Sequence, residues 1–458
     1  MGAIGGDFMR NTKVDMLNGP LFKNVFAYTV PIILSGILQL LFNAADLVVV
    51  GRFCGSTSLA AVGSTGSLTS LIINLFIGLS VGVGVSVAHA LGAGDDKQVS
   101  KIVHTAIPTA IICGLFLTVI GVFVARPLLQ LMGSPHDVID KSSLYMQIYF
   151  CGMVFTLVYN FGAAILRAQG DTKSPLIALT IAGVVNVILN VILVTVVKLD
   201  VAGVAIATMS SQMISAILVL RTLMRSNDCC RYEIKKTKID GRVLLKIIKI
   251  GLPAGIQSSL FAISNVIIQS SVNSFGSVTM SGYAAASNIT GFLYTSLNSF
   301  SQTAVNFAGR CFGFKNYPRI KKVFGCTLAC ALTVGIVMGG FIILFGESLL
   351  SIYITDSPEA IKVGMLQFYV IAATYFLCGF MEISTGILRG MGRSVIPMIV
   401  SIMGVCGFRL VWIFTVFRIP RFHTIISLAM SYPISWIATF TVQTIMCFVV
   451  YNKITKNS

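Results

Sequence analysis

The chain is poor in charge. Only 11% of its 458 residues are Asp, Glu, Lys or Arg, while 55% are hydrophobic. A soluble chain carries about a quarter charged residues, so a water-facing globular fold is excluded. Acids are the scarcer sign, 16 against 33 basic residues, and there are only four histidines. No Walker loop, Rossmann glycine fingerprint or zinc-binding histidine pair occurs. Nucleotide-driven and metal-hydrolytic chemistry therefore have no motif to rest on, and no cofactor is expected. The eleven cysteines are odd in number, mostly inside apolar stretches and without metal-ligand spacing. They read as small buried hydrophobes, with Cys229–Cys230 a loop feature.

What is abundant is apolar length. Windows of about 19 residues predict twelve spans, near 24–50, 60–90, 102–125, 144–166, 175–197, 202–224, 250–275, 282–309, 323–345, 364–388, 395–417 and 424–450. The expected fold is an all-α polytopic membrane protein. It divides into a tail (1–23), an N-terminal six-helix lobe (24–224), a basic linker (225–249), a C-terminal six-helix lobe (250–450) and a second tail (451–458). Residues 1–23 lack the apolar core of a cleavable signal peptide.

The second half repeats the first at a spacing of 222. "TVPIILSGILQ" opens the first span and "IGLPAGIQSSL" the seventh, pairing Pro31 with Pro253 and Asn43 with Asn265. "AILRAQGDTKSP" ends the fourth and "GILRGMGRSVIP" the tenth, pairing Arg167 with Arg389, Gly170 with Gly392 and Pro175 with Pro397. Six spans per copy give both halves the same orientation, an arrangement that places a substrate path at their interface. With the N-terminus inside, inner segments carry 25 of the 33 basic residues and outer loops seven. That asymmetry predicts a cell-membrane protein with both termini cytoplasmic. The same clusters suit anionic lipid headgroups better than nucleic acid.

Charge inside a span is costly, so the few intramembrane ionisable groups are functional candidates. Asp46 lies six residues before Arg52, roughly 9 Å below the outer end. Asn190 and Thr208 lie eight residues from Lys198 and Asp200 respectively, each roughly 12 Å down. Asn186 is one turn deeper on the same face. One acid ringed by neutral oxygens can take up a proton or a small hard cation. The competing reading lets Asp46 reach water at the outer end or pair with Arg52.

The second half has Ile268 where the first has Asp46. It carries polar stripes instead: Asn265, Gln269 and Asn273 on the seventh span, and Asn298, Gln302 and Asn306 on the eighth. Spacing of four puts each trio on one helix face, as a wet cavity wall or as interhelical hydrogen-bond glue. Glu382 in the tenth span and Arg409 in the eleventh are expected to form a structural ion pair. The alternative makes Glu382 a second proton or substrate site.

These segments resemble the multidrug and toxic compound extrusion (MATE) family. The carriers are "ADLVVVGRFCGSTSLAAVG", "ALGAGD", "ILRAQGDTKSP" with its partner "ILRGMGRSVIP", "NVILN" and "VAGVAIAT", and the likeness covers about residues 20–450. The resemblance implies two six-helix lobes and an antiporter that extrudes cationic, amphipathic small molecules, such as drugs, by alternating access. Entering H⁺ or Na⁺ drives it, H⁺ slightly preferred. The family's cation site carries over to Asp46, Asn186, Asn190 and Thr208. Asn43, Asn265, Gln269, Asn273, Asn298, Gln302 and Glu382 are expected to line the substrate cavity. Two departures stand out. Asn190 occupies a position where aspartate is common, and Phe261 stands about where the NorM-like branch has a glutamate. The first removes a charge from the family's ion site; the second brings the chain closer to the DinF-like branch. It is expected to act as a monomer; a lipid-intermediate flippase is the rival reading, though mid-span basic residues are few for one.

Overall fold

The computed structural model describes residues 13–131, 136–354 and 357–456. Among them there is no strand. The helices are α1 (Leu21–Phe53), α2 (Ser56–Gly92), α3 (Asp96–Leu131), α4 (His136–Cys151), α5 (Met153–Gln169), α6 (Lys173–Val191), α7 (Asp200–Arg225) and α8 (Gly241–Asn273). Then follow α9 (Ser277–Gly313), α10 (Tyr317–Leu344), α11 (Gly346–Ser351), α12 (Pro358–Gln367), α13 (Ala373–Gly390), α14 (Val395–Ser401), α15 (Phe408–Phe414) and α16 (Ile425–Lys456).

The twelve expected segments are all helical. Ten stretches among the described residues are long and apolar enough to cross a membrane. The fourth crossing is the pair α4–α5, bent by 45° at Gly152. The eighth, α9, has the length, 37 residues, but not the apolarity. Asn288, Asn298, Gln302 and Asn306 interrupt its greasy surface. Three π-helical turns break the regular spacing: Ile192–Val196 after α6, Phe368–Ala372 between α12 and α13, and Ile402–Gly407 between α14 and α15. Each widened turn rotates the side chains that follow it relative to an ideal helix. The repeated "LR..G" motif is a helix stop: Gly170 has φ +99° and Gly392 φ +76°, a left-handed conformation that glycine adopts without steric cost.

The chain forms two compact units. The first holds residues 1–15 and 30–255, the second 16–29 and 256–458. These boundaries cut through α1 and α8. Close backbone contact explains the exchange of helix ends. In the first unit, a Cβ on Gly255 would stand 2.2 Å from the Leu75 carbonyl oxygen, and one on Gly251 2.6 Å from the Leu79 Cα. Only glycine lets the start of α8 lie this close to α2, as in other small-residue helix contacts within membranes. In the second unit, the start of α1 is held by Thr29, whose hydroxyl meets that of Thr303 at 2.8 Å. Tyr28 packs edge-on against Phe307 at 5.3 Å.

Segments outside the spans dock tightly on each unit. In the first, Lys13 pairs with Asp228, and the Val14 N–H donates to the Gly170 carbonyl at 3.1 Å. In the second, Arg319 donates to the Met16 carbonyl at 3.0 Å and to that of Asn18 at 3.1 Å.

Candidate functional site

The four polar residues expected in the first half meet. Asp46 on α1 is 9% exposed, Asn186 and Asn190 on α6 are 3% and 1%. The Asn190 amide nitrogen donates to one carboxylate oxygen of Asp46, and the Thr208 hydroxyl on α7 donates to the other at 3.3 Å. Asn190 also donates to Asn186 Oδ1 at 3.3 Å, and Asn186 donates to Thr208 at 3.5 Å. The set is a closed ring of one carboxylate, two amides and one hydroxyl, contributed by three helices. It exists because α1 and α6 come close at Gly183, where a Cβ would stand 1.7 Å from the Phe42 ring. Immediately after Asn190 the helix widens into the π turn Ile192–Val196.

Asp46 has no cationic partner among the described residues, so the alternative pairing with Arg52 is not made. The Oδ1 of Asn190 is buried with no hydrogen-bond partner. An oxygen in that condition is unusual, because buried polar groups are nearly always satisfied. Two further residues belong here: Tyr145 and Tyr149 on α4 are both within electrostatic reach of Asp46, their rings stacked at 6.0 Å. Their spacing of four was a usable sign that both sit on one face, but nothing in the sequence pointed that face at Asp46.

The residues expected to line a cavity do not form such a ring. Asn43, Asn265 and Asn273 are exposed, and Gln269 is half-buried. Gln269 donates to Asn273 at 3.1 Å within its own helix. On α9, Gln302 donates to Asn298 Oδ1 at 3.3 Å, and Asn306 to the Gln302 carbonyl at 2.9 Å. These bonds run along one helix.

The expected Glu382–Arg409 ion pair is corrected. No salt bridge joins them. Glu382 is buried at 6% exposed, and the cation acting on it is Arg389, seven residues further along the same helix face. Arg389 in turn donates to Gln257 Oε1 at 2.9 Å. The Arg409 side chain points toward α16, where its guanidinium lies 4.0 Å from the centre of the Tyr432 ring and donates to Ser435 at 3.2 Å. A planar cation finds an aromatic face and a hydroxyl there. The π turn at Ile402–Gly407 lies just before Arg409, and such a widened turn rotates the side chains that follow it relative to an ideal helix. Among the described residues no group of three or more His, Cys, Asp or Glu could hold a metal ion.

The MatE family profile matches residues 31–192 and again 253–415, two copies beginning 222 residues apart. The probable multidrug resistance protein YoeA of Bacillus subtilis is 25% identical over 445 residues, covering 95% of this chain and 94% of its own. YpnP of the same organism, also described as a probable multidrug resistance protein, is 26% identical over 390 residues, 85% of this chain and 87% of its own. A multidrug resistance MATE family transporter of the MOP superfamily, solved in an outward-facing conformation, superposes with a TM-score of 0.89 at 19% identity. That superposition covers 97% of this chain and 99% of the other. With more than two thirds of its length matched in two tandem copies, this chain belongs to the MatE family of multi-pass multidrug efflux transporters.

Proposed function

We propose that the protein is a cation-coupled antiporter that expels cationic or amphipathic small molecules across the cell membrane by alternating access. The observation that carries this reading is the closed hydrogen-bond ring around Asp46, an unpaired carboxylate whose oxygens take donors from Asn190 and Thr208. Ionised, Asp46 only accepts hydrogen bonds. Protonated, it must also donate one. Asn190 can answer both states: turning its amide over replaces the donating nitrogen with Oδ1, the buried acceptor that has no partner. H⁺ is therefore favoured over Na⁺ as the coupling ion, although the same oxygens would also suit a small hard cation. The loaded and empty states differ by one charge, and that charge is what couples the ion to the substrate. The excess of basic residues in the loops assigned to the inside supports cytoplasmic termini.

Glu382, already near Arg389, is left out of this cycle. One H⁺ entering for one monovalent cation leaving moves no net charge. Efflux is then driven by ΔpH, about 1.4 kcal/mol per pH unit, and not by membrane potential. The test is ethidium efflux from proteoliposomes under an imposed ΔpH or ΔpNa. Efflux under ΔpH at symmetric sodium supports the reading; efflux under neither gradient overturns it.

A further inference from the structure

Arg409, on α15 in the eleventh crossing, is only 4% exposed. Among the described residues no carboxylate lies within 4.0 Å of it. Its Nε donates to Ser435. Neither Nη has a protein acceptor. Around the guanidinium stand Tyr432 at 4.0 Å and Trp436 at 5.9 Å. Tyr283 fixes Tyr432 through a 2.9 Å hydroxyl–hydroxyl bond, and Tyr375 closes on Trp436 at 5.1 Å. Tyr432 and Tyr375 are half-buried and not fully enclosed.

Aromatic faces attract a cation but do not neutralise it. A buried guanidinium without a counter-ion carries a desolvation penalty that a structural role alone does not offset, and an unpaired ionisable group within a span is by default a functional site. The free Nη edge is a planar fork that matches the two oxygens of a carboxylate. We propose that Arg409 binds the carboxylate of an aromatic organic anion or zwitterion, whose ring lies against Tyr375 and Tyr432. This site is separate from the Asp46 ring and takes the opposite charge.

The test is equilibrium dialysis of the purified full-length protein with 2-naphthoate and with its neutral analogue 2-naphthamide. Wild type should hold the carboxylate about thirtyfold or more tighter than the amide, as expected when a buried charge pair is made or broken. Arg409→Gln should erase that preference, with a thermal midpoint at least as high as wild type because an unpaired buried charge is gone. Arg409→Lys, which keeps the charge and loses the fork, should retain only part of it. Equal binding of the two probes by wild type would overturn the proposal, as would a preference that survives Arg409→Gln. Asp46→Asn should leave the naphthoate preference intact, so failure of the coupling reading and failure of this one remain distinguishable. A preference abolished by Asp46→Asn would place the anion elsewhere and overturn the assignment to Arg409.

Discussion

The two halves share a scaffold and differ in what they bury. Moving 222 residues along, Asp46, Asn186, Asn190 and Thr208 become Ile268, Phe408, Trp412 and Met430. Every polar member of the ring is replaced by an apolar side chain. In the opposite direction Arg409, Tyr432, Tyr375 and Trp436 correspond to Val187, Ser210, Met153 and Ile214. What stayed the same is structural: Pro31 and Pro253, Arg167 and Arg389, and the left-handed glycines Gly170 and Gly392. The repeat thus keeps helix stops and entry points and lets the interior charge diverge. One half encloses a lone carboxylate, the other a lone guanidinium.

The sharpest way to break that contrast is to neutralise the acid. Asp46→Asn should insert and fold, because an amide of the same shape replaces the carboxylate. Gradient-driven efflux should fall to the leak of protein-free vesicles, since loaded and empty states no longer differ in charge. Near-normal efflux by a well-expressed Asp46→Asn protein would remove Asp46 from the mechanism. The second-half counterpart, Ile268→Asn, should leave coupling unchanged.

Next in size is the close packing of α8 on α2. Gly255→Ala forces a Cβ to within 2.2 Å of the Leu75 carbonyl oxygen. Backbone must shift, at a cost of about 1–3 kcal/mol, visible as a lowered melting temperature in detergent. Gly66→Ala is the control: nothing lies within 4 Å of its Cβ, and alanine in a helix should be neutral or stabilising by about 0.5–1 kcal/mol. Equal loss in both variants would show that α2 and α8 do not need their close approach.

Asn190→Asp sharpens the comparison by adding a second acid to the first half. Two carboxylates in one ring disfavour each other's ionised form. The pH or Na⁺ dependence of efflux should move while the range of exported compounds stays constant. A changed compound range with unchanged ion dependence would assign Asn190 to substrate. A smaller effect tests the half that lacks a counterpart of Asp46. Under a potassium–valinomycin potential at equal pH, a monovalent dye should not be driven out, and Glu382→Gln should make no difference. Potential-driven efflux lost in Glu382→Gln would make Glu382 a second coupling group.

The smallest effect is outside the membrane. Burial alone would raise the Asp228 carboxyl, but hydrogen bonds from Lys13 and Ser226 hold it below the usual carboxylate range. A depressed acid stabilises the folded state at neutral pH, and that contribution is lost as pH falls through its lowered value. Both side chains are about a third or more exposed, 42% and 34%, so the pair contributes at most about 1 kcal/mol. Lys13→Ala should speed hydrogen exchange at the Val14 amide at pH 7 and have little effect at pH 3. Equal protection in the variant at pH 7 would show that Lys13 does not hold the segment.

By itself, the sequence determined the helices, their number and the repeat, because span length, apolarity and glycine stops are local properties of the chain. It also determined the Asp46 ring. Asp46, Asn186, Asn190 and Thr208 each lie at a depth that residue counting from a loop approximates, even though the count to Asn190 crosses the π turn Ile192–Val196. Arg409 escaped that arithmetic because depth does not say which neighbour a side chain turns to, here Tyr432 and Ser435 on α16. Tyr145 and Tyr149 escaped it because counting yields depth but not which neighbouring helix a face meets. Glu382 and Arg389 share one helix face seven residues apart, so that contact was open to local counting. What the packing of helices added is that Arg409 has no counter-ion and that the unit boundaries cut α1 and α8. The last two depend on which helices approach one another, and that is set by small residues and aromatic faces on separate helices, as at Gly255 against Leu75 and Arg409 against Tyr432.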